Sequence, residues 1–371
     1  MSLERPGRFP ASLPGRVWTL ATIALLGVAL TIFYIAARRR TPSVDPAGAA
    51  AVAALPLPPG DLQGRPHVVF LSAAAGTWGR VLVADPGVPA APRYATDLVC
   101  DRVHVAAGRG MCLTLDDSAL GRYRLDLFDG SFRRTRSLPL PGYPSRARVS
   151  PDGRYGAFTV FISGHSYAVT GFSTRTEILD LATNTSFGDL EAFTITRSGE
   201  RLAAPDFNFW GVTFVGSSPR FYATLATGGQ TYLIEGDVAT RSGVALRENA
   251  ECPSVSPDGT RVVFKRRLAT LANLRWQLTV LDLRTQQETP LAAESSSVDD
   301  QAEWLDDEHI VYGIPDRSGR AADAPDLWVV RADGTGSPRL FLADAASPAV
   351  VRGVTARAAA GTATHAAPRA P

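Results

Sequence analysis

A chain of 371 residues with a 45% hydrophobic share can bury a large core, and 38 basic against 36 acidic residues leave it nearly neutral. No global field therefore draws it to nucleic acid. Its 33 glycines and 27 prolines suit many short strands punctuated by turns better than long helices.

Residues 1–16 form a basic tail with Arg5, Arg8 and Arg16, leading into Val17–Ala37, an uncharged run. That run of about 21 residues is long enough, as a helix, to cross roughly 30 Å of hydrocarbon. Trp18 sits near one end and Phe33 with Tyr34 near the other, where amphipathic rings favour the interface. A cleavable signal peptide has an apolar core of only about 7–15 residues with small residues after it. Here Arg38, Arg39 and Arg40 follow, so the segment predicts one retained transmembrane helix in a lipid bilayer. The arginines flanking the two ends balance, and charge alone does not choose the orientation.

Residues 38–64 are rich in Ala and Pro from Thr41 onward and lack apolar periodicity, as expected of a flexible linker. Extended at about 3.1 Å per residue, it would hold a domain tens of ångströms from the bilayer. At the other end, residues 353–371 lack bulky apolar residues beyond Thr355 and read as a disordered tail.

Between them, residues 65–352 divide into six units, each marked by an apolar strand ending at an acidic turn: Val81–Asp85, Arg124–Gly130, Glu177–Leu181, Thr231–Gly236, Leu278–Leu283 and Leu327–Gly334. Their spacing of about 45–55 residues fits four-stranded blades. Ser150-Pro151-Asp152-Gly153 and Ser256-Pro257-Asp258-Gly259, each before a short apolar strand, lie about 106 residues apart, two blade lengths. In each, Pro fixes one corner, Asp caps the turn and Gly supplies a positive φ. The fold class expected is all-β, a six-bladed β-propeller preceded by one N-terminal transmembrane helix and the linker. The first unit begins at a second-position strand, His67–Ser72, and the last is followed by a surplus Ser347–Val351. That segment is expected to supply the missing innermost strand and so remove the open edges.

Two of the three cysteines, Cys100 and Cys112, fall on either side of the second unit's first strand. Adjacent strands can bring Cα atoms within the roughly 4.4–6.8 Å that a disulfide needs, and two buried thiols are the other reading. Cys252 lies in the opposite, fifth unit, too far for either, and reads as a free buried thiol.

The Val-Ser-Pro-Asp-Gly strings at Val149 and Val255, with the degenerate copy Glu303-Trp304-Leu305-Asp306-Asp307-Glu308-His309, resemble the propeller domain of the TolB-like family of bacterial cell envelopes, over residues 65–352. The resemblance implies binding at the envelope, and with the cysteines it favours a propeller outside the cytoplasm. The chain departs from that family in having a membrane span and tether where an additional N-terminal domain is usual.

Enzyme patterns do not emerge. Gly164-His165-Ser166-Tyr167-Ala168 breaks the Gly-x-Ser-x-Gly elbow at its last position, and no phosphate loop or zinc spacing occurs. Asp299, Asp300 and Glu303 with Asp306, Asp307 and Glu308 could be imagined around calcium but lack its loop spacing; a solvated turn beside Trp304 is the simpler reading. Asn184-Thr185-Ser186 reads as a turn. No cofactor is expected. Lys265 is the only lysine, so basic function rests on arginine. Loops joining an outer strand to the next inner strand surround the channel mouth, and there they place Tyr143, Arg146, Phe207, Phe209, Trp210, Asn249, Glu251 and Glu303. Aromatics and arginine dominate exposed interfaces, while Phe207, Phe209 and Trp210 could instead pack between blades. Residues 191–208 are expected to lengthen the third blade. The function anticipated is non-catalytic binding of a protein or envelope polymer; the alternatives are a metal-dependent lactonase- or lyase-type enzyme, or a scaffold facing the cytoplasm.

Overall fold

Alternation with a period of two governs the repeat region, but here both faces of the strands are apolar. His67–Ser72, for example, is buried at all six positions. Such strands need a neighbour on each side. The computed structural model describes residues 54–57, 62, 64–88, 92–116, 121–162, 173–269, 274–315 and 324–353. The expected transmembrane helix, most of the linker, nearly all of the tail and the Gly164–Ala168 string lie outside these residues. Among the described residues no helix is long and apolar enough to cross a membrane.

Six antiparallel sheets follow one another along the chain. From the axis outward, blade 2 runs Arg102–Ala106, Arg109–Leu115, Tyr123–Asp129, Arg134–Leu140, and blade 3 runs Tyr143–Val149, Tyr155–Ile162, Ser173–Asp180, Thr185–Asp189. Blade 4 starts at Asn208–Phe214, blade 5 at Glu251–Val255 and blade 6 at Glu303–Trp304. Blade 1 is completed from the far end of the chain: Ala345–Val351 pairs antiparallel with His67–Ser72, with Val350 opposite Val68 and Ala349 opposite Val69. The ring closes as the sequence anticipates. On the outer edge of blade 1, Leu55–Pro56 adds a short parallel pairing to Tyr94–Val99.

The core consists of seams between blades. Val69, Val83 and Ala349 of blade 1 meet Val103, Val105 and Phe128 of blade 2. On the other side of the same strands, Val68, Phe70 and Val350 meet Val311, Leu327 and Val329 of blade 6. Comparable seams join blades 2 and 3, 3 and 4, 4 and 5, and 5 and 6.

Residues 191–208 correct one expectation. Thr194–Arg197 pairs parallel with Ser242–Glu248 and extends blade 4, not blade 3. Leu190, Phe193 and Ile195 are buried in the seam between the two blades, and Gly243 leaves room for Ile195, whose Cδ1 lies 3.2 Å from where a Cβ would stand.

The two Ser-Pro-Asp-Gly turns are built alike. Ser150 Oγ donates to Asp152 Oδ1 (2.6 Å) and accepts from the Tyr155 N–H (2.8 Å), and Gly153 has φ +73°. Ser256 Oγ likewise bonds Asp258 Oδ1 (2.5 Å) and accepts from Arg261 N–H (3.0 Å), with Gly259 at φ +73°. In the degenerate copy Asp306 Oδ1 accepts from the Glu308 and His309 N–H groups, both at 2.7 Å. The two glycines differ in surroundings: a Cβ on Gly153 would stand 3.2 Å from Ala107 Cβ and 3.3 Å from the Ala106 carbonyl of blade 2, whereas one on Gly259 meets only Val215 at 4.0 Å. Gly259→Ala is therefore expected to cost only the left-handed backbone penalty of roughly 1–2 kcal/mol, and Gly153→Ala clearly more. Denaturant midpoints of the two variants check this; equal losses would refute the crowding at Gly153.

Candidate functional site at the propeller axis

The innermost strands line the axis as edge strands, and four of them carry one extra residue against their partner. The register slips between Glu251 and Ser254, between Trp210 and Thr213, opposite Thr159/Val160, and opposite Val69/Leu71. Cys252 (φ +48°), Gly211 (φ +64°) and Ser347 (φ +51°) sit at three of these bulges. A bulge re-aims side chains, here toward the axis. Blades 4 and 5 touch closely at this level: a Cβ on Gly211 would lie 2.8 Å from Cys252 Cα.

Charged side chains fill the axis. Arg148, on the innermost strand of blade 3, reaches across to Glu303 of blade 6, and both are buried. His104 of blade 2 joins them. Its Nδ1 accepts from the Val149 N–H at 3.1 Å, which fixes the neutral ring with hydrogen on Nε2. Nε2 lies 3.6 Å from the same Glu303 Oε2 that Arg148 bonds, so the two donors, 3.1 Å apart, converge on one oxygen. Burial, reinforced by the Arg148 and Arg352 charges, holds the imidazole well below its usual 6.5. Arg148 is itself lowered, to about 10, chiefly by burial, and stays charged at neutral pH.

Above and below this plug the channel differs. Each blade's innermost strand begins, and its second strand ends, at one rim, here the upper; the Ser-Pro-Asp-Gly turns lie at the lower rim. Toward the upper rim, Arg146 lies 3.7 Å from Asp300 and Arg102 Nε donates to the Ser145 carbonyl (2.6 Å). Burial opposes the Asp300 charge, but Arg146 and Arg102 outweigh it and its pKa is lowered. Lys265 Nζ donates to Asp299 Oδ1 (2.7 Å) with the Trp276 ring centroid 5.1 Å away. Gln301 spans the axis, donating to the carbonyls of Val212 (3.2 Å) and Pro253 (2.8 Å). A cavity of about 20 Å³ lies among Arg102, Arg146, Asp300 and Gln301. On the lower side a cavity of about 120 Å³ is bordered by Arg148, Arg352 and Glu303.

The expected mouth residues divide. Arg146 and Glu303 face the axis as described. Glu251 is buried and bonded to Arg267 (2.9 Å), and Asn249 exchanges hydrogen bonds with the Arg267 backbone (2.8 and 3.0 Å). Phe209 is buried in the seam between blades 3 and 4 with Phe207 packed edge-on against it, and Trp210 is buried against Ala226 and Cys252. Phe209 and Trp210 are removed from the mouth because their bulged strand turns them into the seams, and Phe207, just before that strand, packs beside them. Tyr143 stands at the upper rim, 52% exposed. His104, Arg148 and Arg352 were not anticipated; the alternation in Arg146-Ala147-Arg148 is the sequence feature that pointed inward. Asp299, Asp300 and Glu303 go to cations. Cys100 and Cys112 are joined by a disulfide with Cα atoms 5.4 Å apart, and Cys252 is a free, buried cysteine.

No protein-family profile matches the chain, and no curated protein matches its sequence. Solved structures do. TolB from Acinetobacter baumannii superimposes over 79% of this chain and 67% of that one, with a TM-score of 0.54 and 18% identity. A chain of a nidogen/laminin complex matches over 77% of this chain and 98% of its own length, with a TM-score of 0.50 and 9% identity. At such identities the likeness is one of fold, and it agrees with the TolB-like propeller that the turn motifs imply.

Two outcomes follow from the plug. Glu303→Gln strands the buried Arg148 charge and is expected to cost about 3–5 kcal/mol, while the apolar pair Arg148→Met/Glu303→Leu should fall within about 1 kcal/mol of wild type or above it; urea unfolding of the variants decides. The unfolded chain takes up a proton at histidine below pH 6.5 that folded His104 does not, so stability is full above 6.5 and declines as pH falls below it, by at most about 1.4 kcal/mol per pH unit. His104→Asn, which keeps an acceptor for the Val149 N–H, should flatten that decline without abolishing it, because buried His67 is lowered too. An unchanged slope would count against the assignment.

Proposed function

We propose that this chain is a membrane-anchored, non-catalytic propeller outside the cytoplasm that docks a protein partner on its upper rim. The observation that carries the reading is the grouping of apolar side chains there. Among the described residues the large aromatics that stand exposed are Trp78 (63%), Tyr143 (52%) and Phe161 (38%), and strand polarity puts all three on this rim. Tyr143 meets Tyr123 edge to face at 5.3 Å and stacks with Phe161 at 6.5 Å, with exposed Leu115 at the end of an adjacent strand. Aromatic anchors beside arginine are the residue types on which binding energy concentrates. Arg102 lies near Tyr143.

The acidic groups of the axis support binding over metal-dependent chemistry, because Asp300 and Glu303 are already engaged by Arg146 and Arg148. The anchor rests on the uncharged Val17–Ala37 run, and the extracytoplasmic side on the Cys100–Cys112 bond, which persists in oxidising compartments.

A photo-crosslinker at Phe161 of the full, anchored chain is expected to trap a discrete envelope protein, and one at Leu340 on the outer edge of blade 6 is not. Tyr143→Ala/Phe161→Ala should cut recovery of that protein about tenfold or more with melting unchanged. Equal crosslinking from both positions, or full recovery with the double variant, would refute the docking face. A reporter fused after Pro371 should be active outside the cytoplasm.

A further inference from the structure

The lower half of the channel has a chemistry that docking on the upper rim leaves unused. The two axial cavities are lined by four arginines, Arg102, Arg146, Arg148 and Arg352, and two carboxylates, Asp300 and Glu303; Lys265 is paired with Asp299, and Asp101, Asp306 and Asp307 act on Arg102 and Arg352 from outside the lining. The arginines act on one another: Arg148 is lowered by Arg352 and Arg146 as well as by burial, and Arg102 by Arg146. A buried excess of positive charge calls for a counter-ion. Arg148, 7% exposed, also keeps a buried Nε–H with no hydrogen-bond partner, although its other nitrogens donate to Glu303 and the Ala302 carbonyl. An unsatisfied guanidinium N–H in a dry setting is a strong donor waiting for an oxygen.

The cavity of about 120 Å³ beside it is large enough for several waters or one small polar group. Arg148 and Arg352 supply its cationic end, and Pro151, Phe214, Val255 and Pro257 supply an apolar collar. Arg352 spends one amino group on the Trp304 carbonyl (2.5 Å), and its side chain is 40% exposed, so it stands at the opening. Glu303 borders the same space; its Oε2 is taken by Arg148 and faced by His104, and its Oε1 lies 4.0 Å from Arg352, so an incoming carboxylate would share the two arginines with it. Asp307 and Asp306 offset the burial of Arg352 only in part, since its pKa remains lowered.

We infer that this lower cavity is a receptor for a carboxylate on a short apolar stem, held between Arg148 and Arg352 with the stem in the proline-lined collar. The collar argues for a carboxylate over inorganic phosphate, whose surface is polar all round. The inference is independent of the upper-rim reading, because the two sites lie at opposite ends of the plug.

The test uses the full chain and sodium butyrate at constant ionic strength. Butyrate should raise the melting midpoint saturably, and butyramide, of similar shape without charge, should not. Arg352→Met, which keeps an apolar stem at a half-exposed position, should move half-saturation up by about tenfold or more. The wild-type comparison of acid with amide needs no variant and stands even if Arg352→Met fails to fold. A rise matched by butyramide, one that never saturates, or one retained in folded Arg352→Met overturns the site. Phosphate binding with the same Arg352 dependence, in place of butyrate, overturns the carboxylate assignment. A blocked Ala-Glu-Ala peptide separates the sources: saturation below the butyrate concentration supports the site with an acidic side chain of a peptide as its occupant, and binding of butyrate alone supports it with a free short-chain acid.

Discussion

No blade of this molecule can be satisfied alone, and that constraint organises everything else. A strand such as His67–Ser72, buried on both faces, gives one set of side chains to the blade behind and the other to the blade ahead. A row of such sheets ends in two raw faces unless it bends into a ring. Pairing of Ala345–Val351 with His67–Ser72 meets the requirement: the closing strand places Ala349 in one seam and Val350 in the next. The two ends of the propeller region are thereby tied into one sheet, and the unpaired edges face only the axis and the outer circumference.

Closure has a consequence at the centre. The innermost strands converge as edges, where their backbone cannot form a further ladder, so side chains and bulges must fill the space. Proline is tolerated in such edge strands because no hydrogen bond is lost there. Pro144, Pro253 and Pro348 all occur on innermost strands, next to the extra residues that break their register. The bulge in Tyr143–Val149 aims Arg146 and Arg148 inward, and that in Asn208–Phe214 accompanies the turn of Phe209 and Trp210 into the seams. Gln301 and the Trp304 indole, which donates to the Ser254 carbonyl at 2.8 Å, then satisfy backbone oxygens across the gap.

This division explains what could be read from the residues alone. Turn chemistry and periodicity are local, so the Ser-Pro-Asp-Gly corners, the six acidic-ended strands and the surplus strand near Pro348 were legible, and with them the propeller. The axis was not, because a single extra residue in a strand exchanges its two faces and leaves no trace in a hydrophobic pattern. Phe209 and Trp210 thus looked like mouth residues, whereas Arg148 passed as an ordinary strand position. The hairpin within residues 191–208 went to blade 4 for a comparable reason: its parallel pairing depends on the bare surface at Gly243, a contact far along the chain.

The near absence of lysine gains a physical meaning at this point. Burial drives an ammonium to give up its proton, whereas a guanidinium keeps its charge and offers several donors in a fixed plane. Arg102, Arg146 and Arg148 occupy the crowded centre of the ring, where Arg148 is lowered to about 10 and is still cationic at neutral pH. The sole lysine, Lys265, stands where an ammonium can survive, bonded to Asp299 and lying over Trp276. His104, the one axial group able to change charge near neutrality, is held neutral by the Val149 N–H and by the arginines around it. The charges of the axial arginines are therefore constant across the physiological range. A ring that must be sealed to exist has been sealed with charges that do not titrate away, which makes its centre a standing receptor for anions and not a place that needs to be switched on.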